Sequence, residues 1–248
     1  AAPQLNDKPG WYRIAPHVHT VHSDGRLTPA EVIALSKASG LDGIVSTDHN
    51  TTSALLHWGE VQDPEFLVIN GVEVTYGQGH WNIFGLDPHA WIDFRIHHND
   101  TLRYRKVVAK ARKAGRLLVA TPPYNLDFLY DVTPMDGIEV WNSAWSPANE
   151  RAVELWHTLL VGGNRKFAVA STDFHRGGNI ASPHTVVRAE ALSAEAVIDA
   201  IAAGRSYVAR DTSDEIGMQV RNSATPVQHA DIGDTLLRSG GMQAEFRS

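Results

Sequence analysis

Cysteine is absent from the 248-residue sequence, and so are long apolar runs. Without cysteine the chain can form neither a disulfide nor a thiolate metal site, so histidine nitrogen and carboxylate oxygen must hold any bound metal. No apolar run approaches the roughly 18 to 20 residues of a membrane-spanning helix, so we expect no membrane partner. The composition, with 43% hydrophobic and 20% charged residues, is typical of a soluble globular protein.

The sequence also has no excess of basic residues, with 22 lysines and arginines against 28 aspartates and glutamates. The formal net charge is −6, which argues against nucleic-acid binding through bulk charge. The chain opens with AAPQ, an end that both signal-peptide cleavage and removal of an initiator methionine leave. A periplasmic or secreted location and a cytoplasmic one therefore both stay open, and the sequence indicates no oligomeric state.

The stretch 14–50 begins with an apolar, β-prone run that carries His17 and His19. Residues two apart on a strand face the same side, so these imidazoles should lie together. A turn then exposes Asp24, and the next predicted strand ends on His49. The carboxyl ends of neighbouring parallel strands form the sites of α/β proteins, so we expect all four side chains to meet there.

Alternating strand and helix patterns run through most of the chain. Strands are predicted at 14–18, 43–47, 66–74, 116–120, 137–140, 167–172 and 185–188. Helices are predicted at 28–39, 101–114, 148–161 and 193–203, the first with Thr28 as its N-cap. This alternation predicts an α/β fold with a parallel sheet, either open or closed into a barrel.

Two segments depart from the alternation. Between 75 and 100, glycines and aromatic residues predict a hairpin and an active-site loop. After Ser206 the pattern changes to short strands and turn residues, which predicts a β-rich tail. We therefore expect one α/β domain over 1–210 and a short β-rich C-terminal extension over 211–248.

Further metal-ligand candidates follow the later strands. Glu73 is a carboxylate inside the apolar run VINGVEVT, where charge is costly unless it is paired or bound to metal. His80 lies in the next loop, and Asp173 and His175 end the strand in VASTDFHR, again two apart. The eight candidates are His17, His19, Asp24, His49, Glu73, His80, Asp173 and His175. They exceed the needs of one divalent ion but suit two or three ions about 3.5–4 Å apart, and such ligands accept Zn, Mn and Fe alike.

These motifs resemble those of a known family. HVHTVHSDG, STDHN, GVEVT with a following histidine, and STDFH are similar in order to the motifs of the PHP (polymerase and histidinol phosphatase) family, over about residues 12–210. EVTYGQGHWNIFG, and AAGRSYV before the β-rich tail, look closer to its carbaryl-hydrolase-like branch. The resemblance implies a distorted (β/α)7 barrel, a two- or three-metal site, and phosphoester hydrolysis as the commonest activity.

Carried over position by position, the resemblance implies three metal sites. One is held by His17, His19, Glu73 and Asp173, a second shares Glu73 and takes His80, and a third lies on Asp24, His49 and His175. One position departs from the family pattern, because Thr121 stands where relatives usually have a histidine before proline. A hydroxyl is a weaker ligand than imidazole, so we expect weak occupancy of the second site or an enzyme that uses fewer ions.

The resulting hypothesis is metal-assisted hydrolysis, in which the ions act as Lewis acids and supply the nucleophile. Glu73 and Asp173 are predicted to be catalytic because they hold those ions. Asp48, next to His49, is interpreted either as a residue that orients this imidazole or as a turn cap.

Three positions are predicted to contact the substrate. Arg176, directly after a predicted ligand, and Arg26, after the SDG turn, are candidate clamps for phosphate. His98, in the long loop, is a further candidate.

Three functions stay open at this point. The first is a phosphoesterase acting on a small phosphomonoester or phosphodiester. The second is a hydrolase of carboxylic or carbamate esters on the same metal site. The third is a catalytically weakened metal-binding module, which Thr121 supports and the otherwise intact ligand set opposes.

Overall fold

The computed structural model describes residues 6–58, 63, 65–122, 130–223, 227–236 and 241–248. The opening residues AAPQ, which leave the location open, lie outside this part of the chain. Within it, no helix combines the length and the apolar character that crossing a membrane requires.

One mixed sheet of nine strands forms the body of the molecule. β1 (Gly10–Val18), β2 (Gly43–Ser46) and β3 (Leu67–Tyr76) are parallel, as are β5 (Leu117–Thr121), β6 (Gly137–Asn142) and β7 (Phe167–Ser171). β4 (Gly79–Phe84), β8 (His184–Ala189) and β9 (Ser206–Ala209) are antiparallel to their neighbours. The strand order is β7-β6-β5-β4-β3-β2-β1-β8-β9.

Contacts between β1 and the segment after β7 nearly close this sheet into a barrel. The His19 amide donates to the Phe174 carbonyl over 2.9 Å, and Val18 forms a parallel bridge with the same residue. Thr185 of β8 also reaches β7, where its Oγ1 accepts from the Ala170 amide at 2.9 Å. Of the two arrangements that the alternating pattern allows, the structure therefore has the barrel.

All four predicted helices are confirmed: α1 (Pro29–Ala38), α2 (Thr101–Ala114), α3 (Pro147–Val161) and α4 (Ala194–Ala202). α1 begins with a capping box, in which Thr28 Oγ1 accepts from the Glu31 amide and the Glu31 carboxylate accepts from the Thr28 amide. Side-chain oxygens of Asp100 and Ser193 cap α2 and α4. These caps are local, which is why the sequence pattern locates the helix starts so closely.

The expectation of a parallel sheet is wrong for one of the seven predicted strands, β8, and the predicted hairpin extends further than expected. β4 forms the expected hairpin with β3 and then continues as a full sheet strand that pairs with β5 as well. β8 runs antiparallel to β1 because no helix in the segment 172–183 carries the chain back across the sheet, as a parallel connection usually requires.

Apolar clusters cover both faces of the barrel strands. Val32 of α1 and Val107 of α2 belong to one cluster. Ile198 and Ile201 of α4 belong to a second cluster, with buried side chains of β1, β2, β3, β5 and β7. Since both faces of the strands are covered, the strands are near-continuously apolar and polar side chains concentrate at their ends.

The C-terminal extension is a separate three-stranded antiparallel sheet. β10 (Gly217–Asn222) lies between β11 (His229–Asp231) and β12 (Met242–Arg247). Arg188 of β8 holds it to the barrel through hydrogen bonds to Asp234 Oδ1 at 2.7 Å and to the Ile232 carbonyl at 3.0 Å. The predicted β-rich extension is present, and the boundary near 210 stays a prediction.

Candidate metal centre

Four buried side chains meet where β1 and β7 end, beside β3, and we call them the inner cluster: His17, His19, Glu73 and Asp173. His17 Nε2 lies 3.2 Å from both Glu73 Oε2 and Asp173 Oδ1. His19 Nε2 lies 3.4 Å and 2.9 Å from the same two oxygens. Residues far apart in sequence therefore aim four potential ligand atoms at one point.

The backbone that carries Asp173 and His175 is a loop after β7 and not the strand that we predicted. We predicted that Asp173 and His175 share a strand face, but β7 ends at Ser171 and Asp173 has a φ of 52°. This left-handed conformation is uncommon for a non-glycine residue and is often found at functional sites. The loop, not strand alternation, brings both side chains to the site.

Three further ligands lie nearer the surface and form, with His19, the mouth cluster: Asp24, His49 and His175. Asp24 Oδ1 lies 3.1 Å from His175 Nε2 and 3.6 Å from His49 Nε2. The Asp24 side chain is 60% exposed, whereas His49 and His175 are partly buried and His19 is fully buried. Solvent therefore reaches this cluster directly.

A third group, the side cluster, consists of His49, Glu73 and His80. His80 Nδ1 lies 2.9 Å from Glu73 Oε1, and His49 Nδ1 lies 2.9 Å from Glu73 Oε2. Thr121 is the register partner of His80 across β4 and β5. Its buried Oγ1 has no hydrogen-bond partner among the described residues.

Glu139 is a buried carboxylate at the site that the sequence reasoning missed. It is buried on β6, and His17 Nδ1 donates to its Oε2 over 2.9 Å. A carboxylate inside the apolar run GIEVW is the same signal that identified Glu73. Glu139 had no neighbouring histidine motif to draw attention to it.

The ring hydrogens of two histidines show that the clusters fit a cation. A carbonyl only accepts hydrogen bonds, so Nδ1 of His175 carries the proton that bonds the Asp173 carbonyl. Burial raises the pKa of Glu139 while His17 lowers it, and with this carboxylate ionised Nδ1 of His17 carries the proton that bonds Glu139 Oε2. Nε2 of each ring then faces carboxylate oxygens at 3.1–3.2 Å. Burial alone would lower the pKa of His17, but Asp173, Glu139 and Glu73 raise that pKa well above its usual value, so in the metal-free chain a ring proton takes the place between nitrogen and carboxylates that a metal ion would take.

The charge states of the buried carboxylates agree with this fit. Burial alone would raise the pKa of Glu73, but His17, His49 and His80 hold that pKa well below its usual range. Burial opposes ionisation of Asp173 as well, yet its pKa is lowered by His17 and His19. Two ionised carboxylates and two imidazoles around one point form a donor set that suits divalent metal ions, which would replace the ring protons on binding.

Asp48 contacts the loop after β1 instead of the His49 ring. Its carboxylate accepts hydrogen bonds from the Thr20 amide and hydroxyl, both at 2.8 Å, and from the Ser23 hydroxyl at 2.6 Å. Asp48 thus holds the loop that carries Asp24, and its catalytic role stays a prediction.

A cavity of about 760 Å³ opens beside the clusters. Its lining includes Asp24, His49, His80, Asp173, His175 and Arg176. Arg26 and His98 are exposed and are not among its lining residues. Of the three predicted substrate contacts, only Arg176 is among the lining residues, and contact with substrate stays a prediction for all three.

Similarity to solved structures, and not similarity of sequence, supports the fold. No protein-family model matches the chain, and no curated protein matches its sequence. A two-domain protein from Bacteroides vulgatus that contains a predicted PHP-like metal-dependent phosphoesterase has a TM-score of 0.64 at 16% identity, over 98% of this chain and 88% of that one.

Two other solved structures are similar over smaller parts of the chain. PsfC from Pseudomonas syringae has a TM-score of 0.58 at 16% identity, over 82% of this chain and 93% of that one. An amidohydrolase from Chromobacterium violaceum, with bound sulfate and no metal, has a TM-score of 0.52 at 18% identity, over 67% and 89%. The chain therefore has a PHP-like α/β barrel fold with a short β-rich C-terminal extension.

Proposed function

We propose that this chain is a metal-dependent hydrolase that cleaves small phosphomonoesters or phosphodiesters. One observation carries the proposal: eight nitrogen and oxygen ligands form three clusters that overlap at His19, His49 and Glu73 beside an open cavity. Overlapping clusters allow two or three ions to share ligands, which is the arrangement found in many enzymes that cleave phosphoesters.

In this proposal the residues of the three clusters hold the metal ions, and Arg176 binds the substrate. Bound divalent ions would supply Lewis acidity, which polarises the phosphorus–oxygen bond and favours attack at neutral pH. Glu73 belongs to both the inner and the side cluster, so its carboxylate links the two clusters. Asp48 keeps the Asp24 loop against the barrel through its bonds to Thr20 and Ser23.

A phosphate group suits the cavity better than a neutral ester does. Arg176 lines the cavity, and a guanidinium binds tetrahedral oxyanions through two parallel hydrogen bonds. The sulfate in the Chromobacterium violaceum structure is an anion of the same shape, and the Bacteroides vulgatus protein carries a phosphoesterase name, which agrees with this choice. The resemblance to the carbaryl-hydrolase-like branch makes carbamate cleavage the competing outcome.

The test is a side-by-side assay of the chain loaded with Mn, Zn or Fe. The substrates are p-nitrophenyl phosphate, bis-p-nitrophenyl phosphate and a naphthyl carbamate. We expect turnover of one or both phosphoesters, lost on chelation and restored by metal. Turnover of the carbamate alone, or of none of the three, contradicts the proposal.

A further inference from the structure

Glu139 lies against the inner cluster but belongs to none of the three groups of potential ligands. Its side chain is 1% exposed, and its Oε2 contacts Nδ1 of His17, the ring nitrogen that faces away from Glu73 and Asp173. We propose that Glu139 is a positioning residue, which holds His17 so that Nε2 presents its lone pair to an ion and makes the inner cluster the tightest of the three. This inference rests on the metal-binding part of the proposed function, not on which ester is cleaved.

The hydrogen bond determines both the tautomer and the direction of the ring. A carboxylate oxygen accepts from Nδ1–H at 2.9 Å, so Nε2 is left as the metal-binding atom. Asn142 Nδ2 lies 3.4 Å from Glu139 Oε2 and 3.4 Å from Asp173 Oδ2, and so connects this outer carboxylate to a predicted ligand. His17 is thereby held from the side opposite to Glu73 and Asp173.

The other imidazoles have partners of a different kind. His175 Nδ1 donates to the Asp173 carbonyl, a neutral acceptor. The carboxylate that His49 and His80 contact through Nδ1 is Glu73, which is itself a predicted ligand. His17 differs because its carboxylate partner stands outside the ligand set, and an anionic partner makes an imidazole a stronger donor than a neutral one does.

The experiment compares Glu139→Gln with Thr75→Val. Glutamine keeps the size of the side chain and removes its negative charge. Thr75→Val removes a neutral partner, the hydroxyl that lies 2.6 Å from His49 Nδ1. For each variant we would measure the dissociation constant of the tightest Zn²⁺ by chelator competition, the melting temperature of the metal-free chain, and the ring-nitrogen NMR signals of the histidines.

We expect Glu139→Gln to weaken the tightest Zn²⁺ by roughly 10- to 100-fold. The Nδ1 signal of one histidine should shift, because a neutral amide acceptor replaces an anionic one, while the metal-free chain melts no lower than the wild type. Thr75→Val should leave the tightest ion unchanged. Unchanged affinity in Glu139→Gln, an equal loss in Thr75→Val, or a lower melting temperature of the metal-free chain that accompanies the loss would overturn the proposal.

The outcomes also separate this inference from the proposed function. A wild-type chain that binds Zn²⁺ tightly but cleaves no ester contradicts the proposed hydrolysis and leaves the role of Glu139 standing. A chain that cleaves phosphoesters and binds Zn²⁺ equally well with and without Glu139 contradicts the positioning role alone.

Discussion

The inner cluster and the mouth cluster use the same chemical groups in opposite surroundings. In the inner cluster both histidines and both carboxylates are buried, and Glu73 stands on a strand. The mouth cluster depends on Asp24, which is 60% exposed on a turn. Buried acceptors that face one another are costly when no cation is present, whereas exposed ones are hydrated at little cost. The difference predicts a tightly held inner ion and an exchangeable ion at the mouth.

The largest expected effect comes from Glu73→Gln, because this carboxylate belongs to the inner and side clusters at once. We expect loss of the ions of both clusters, loss of phosphoester cleavage, and loss of the thermal stabilisation that metal gives the wild type. An ion present at 100 times its dissociation constant stabilises a chain by about 2.7 kcal/mol, which is readily seen in a melting curve. Metal content by mass spectrometry completes the measurement.

Asp24→Asn is the matched control, because it removes one carboxylate charge from the mouth cluster alone. This variant should keep the inner ion and its effect on melting, and lose one ion per chain at most. Equal metal loss in the two variants would show that burial does not distinguish the clusters.

The next largest effect concerns substrate binding by two arginines on the open side of the site. Arg176 lines the cavity, whereas Arg26 does not, although its amide donates to the His175 carbonyl. A hydrogen bond to a charged group contributes about 1.5–3 kcal/mol, and every 1.4 kcal/mol is about tenfold. We therefore expect Arg176→Ala to raise KM for a phosphoester by about tenfold or more, with a smaller change in kcat.

Arg26→Ala serves as the control for the removal of a positive charge near the mouth. Its KM should match that of the wild type. A similar rise in both variants would mean that the field of the surface charges, and not a direct contact, binds the phosphate.

The same contrast explains how much of the site could be predicted from the sequence. Helix starts and strand runs are local, so Thr28 and Glu31 locate α1 without knowledge of the rest of the chain. Glu73 is recognisable because a charge interrupts an apolar run, and Glu139 carries the same signal.

Other features depend on contacts between distant segments and could not be predicted locally. The contacts of Asp48 with Thr20 follow from the packing of the β1 loop against the end of β2. Likewise, β8 runs antiparallel to β1 because the segment between β7 and β8 contains no helix. The position of the Asp173 side chain depends on the left-handed backbone conformation of that residue. These are tertiary properties that neither periodicity nor spacing encodes.

The smallest expected effect concerns the side cluster, which has three potential ligands and a buried hydroxyl beside them. Thr121 pairs with His80 across the strands, and directly opposed residues of antiparallel strands have Cβ atoms roughly 4.5–5.5 Å apart. Thr121→His would place an imidazole within reach of this cluster, so we expect metal content to rise by up to one ion per chain. The cost of the added bulk in a buried position is about 1–3 kcal/mol, which a melting curve of the metal-free chain would measure.

Thr121→Leu separates the added nitrogen from the added bulk. The leucine variant should show the same strain in the metal-free chain and no gain in metal. If the wild type already holds three ions per chain, or if leucine raises the metal content as much as histidine does, then the hydroxyl at position 121 does not limit the side cluster. Three ions per chain in the wild type would also mean that the partly exposed clusters are occupied as fully as the buried one, so that burial does not rank the clusters.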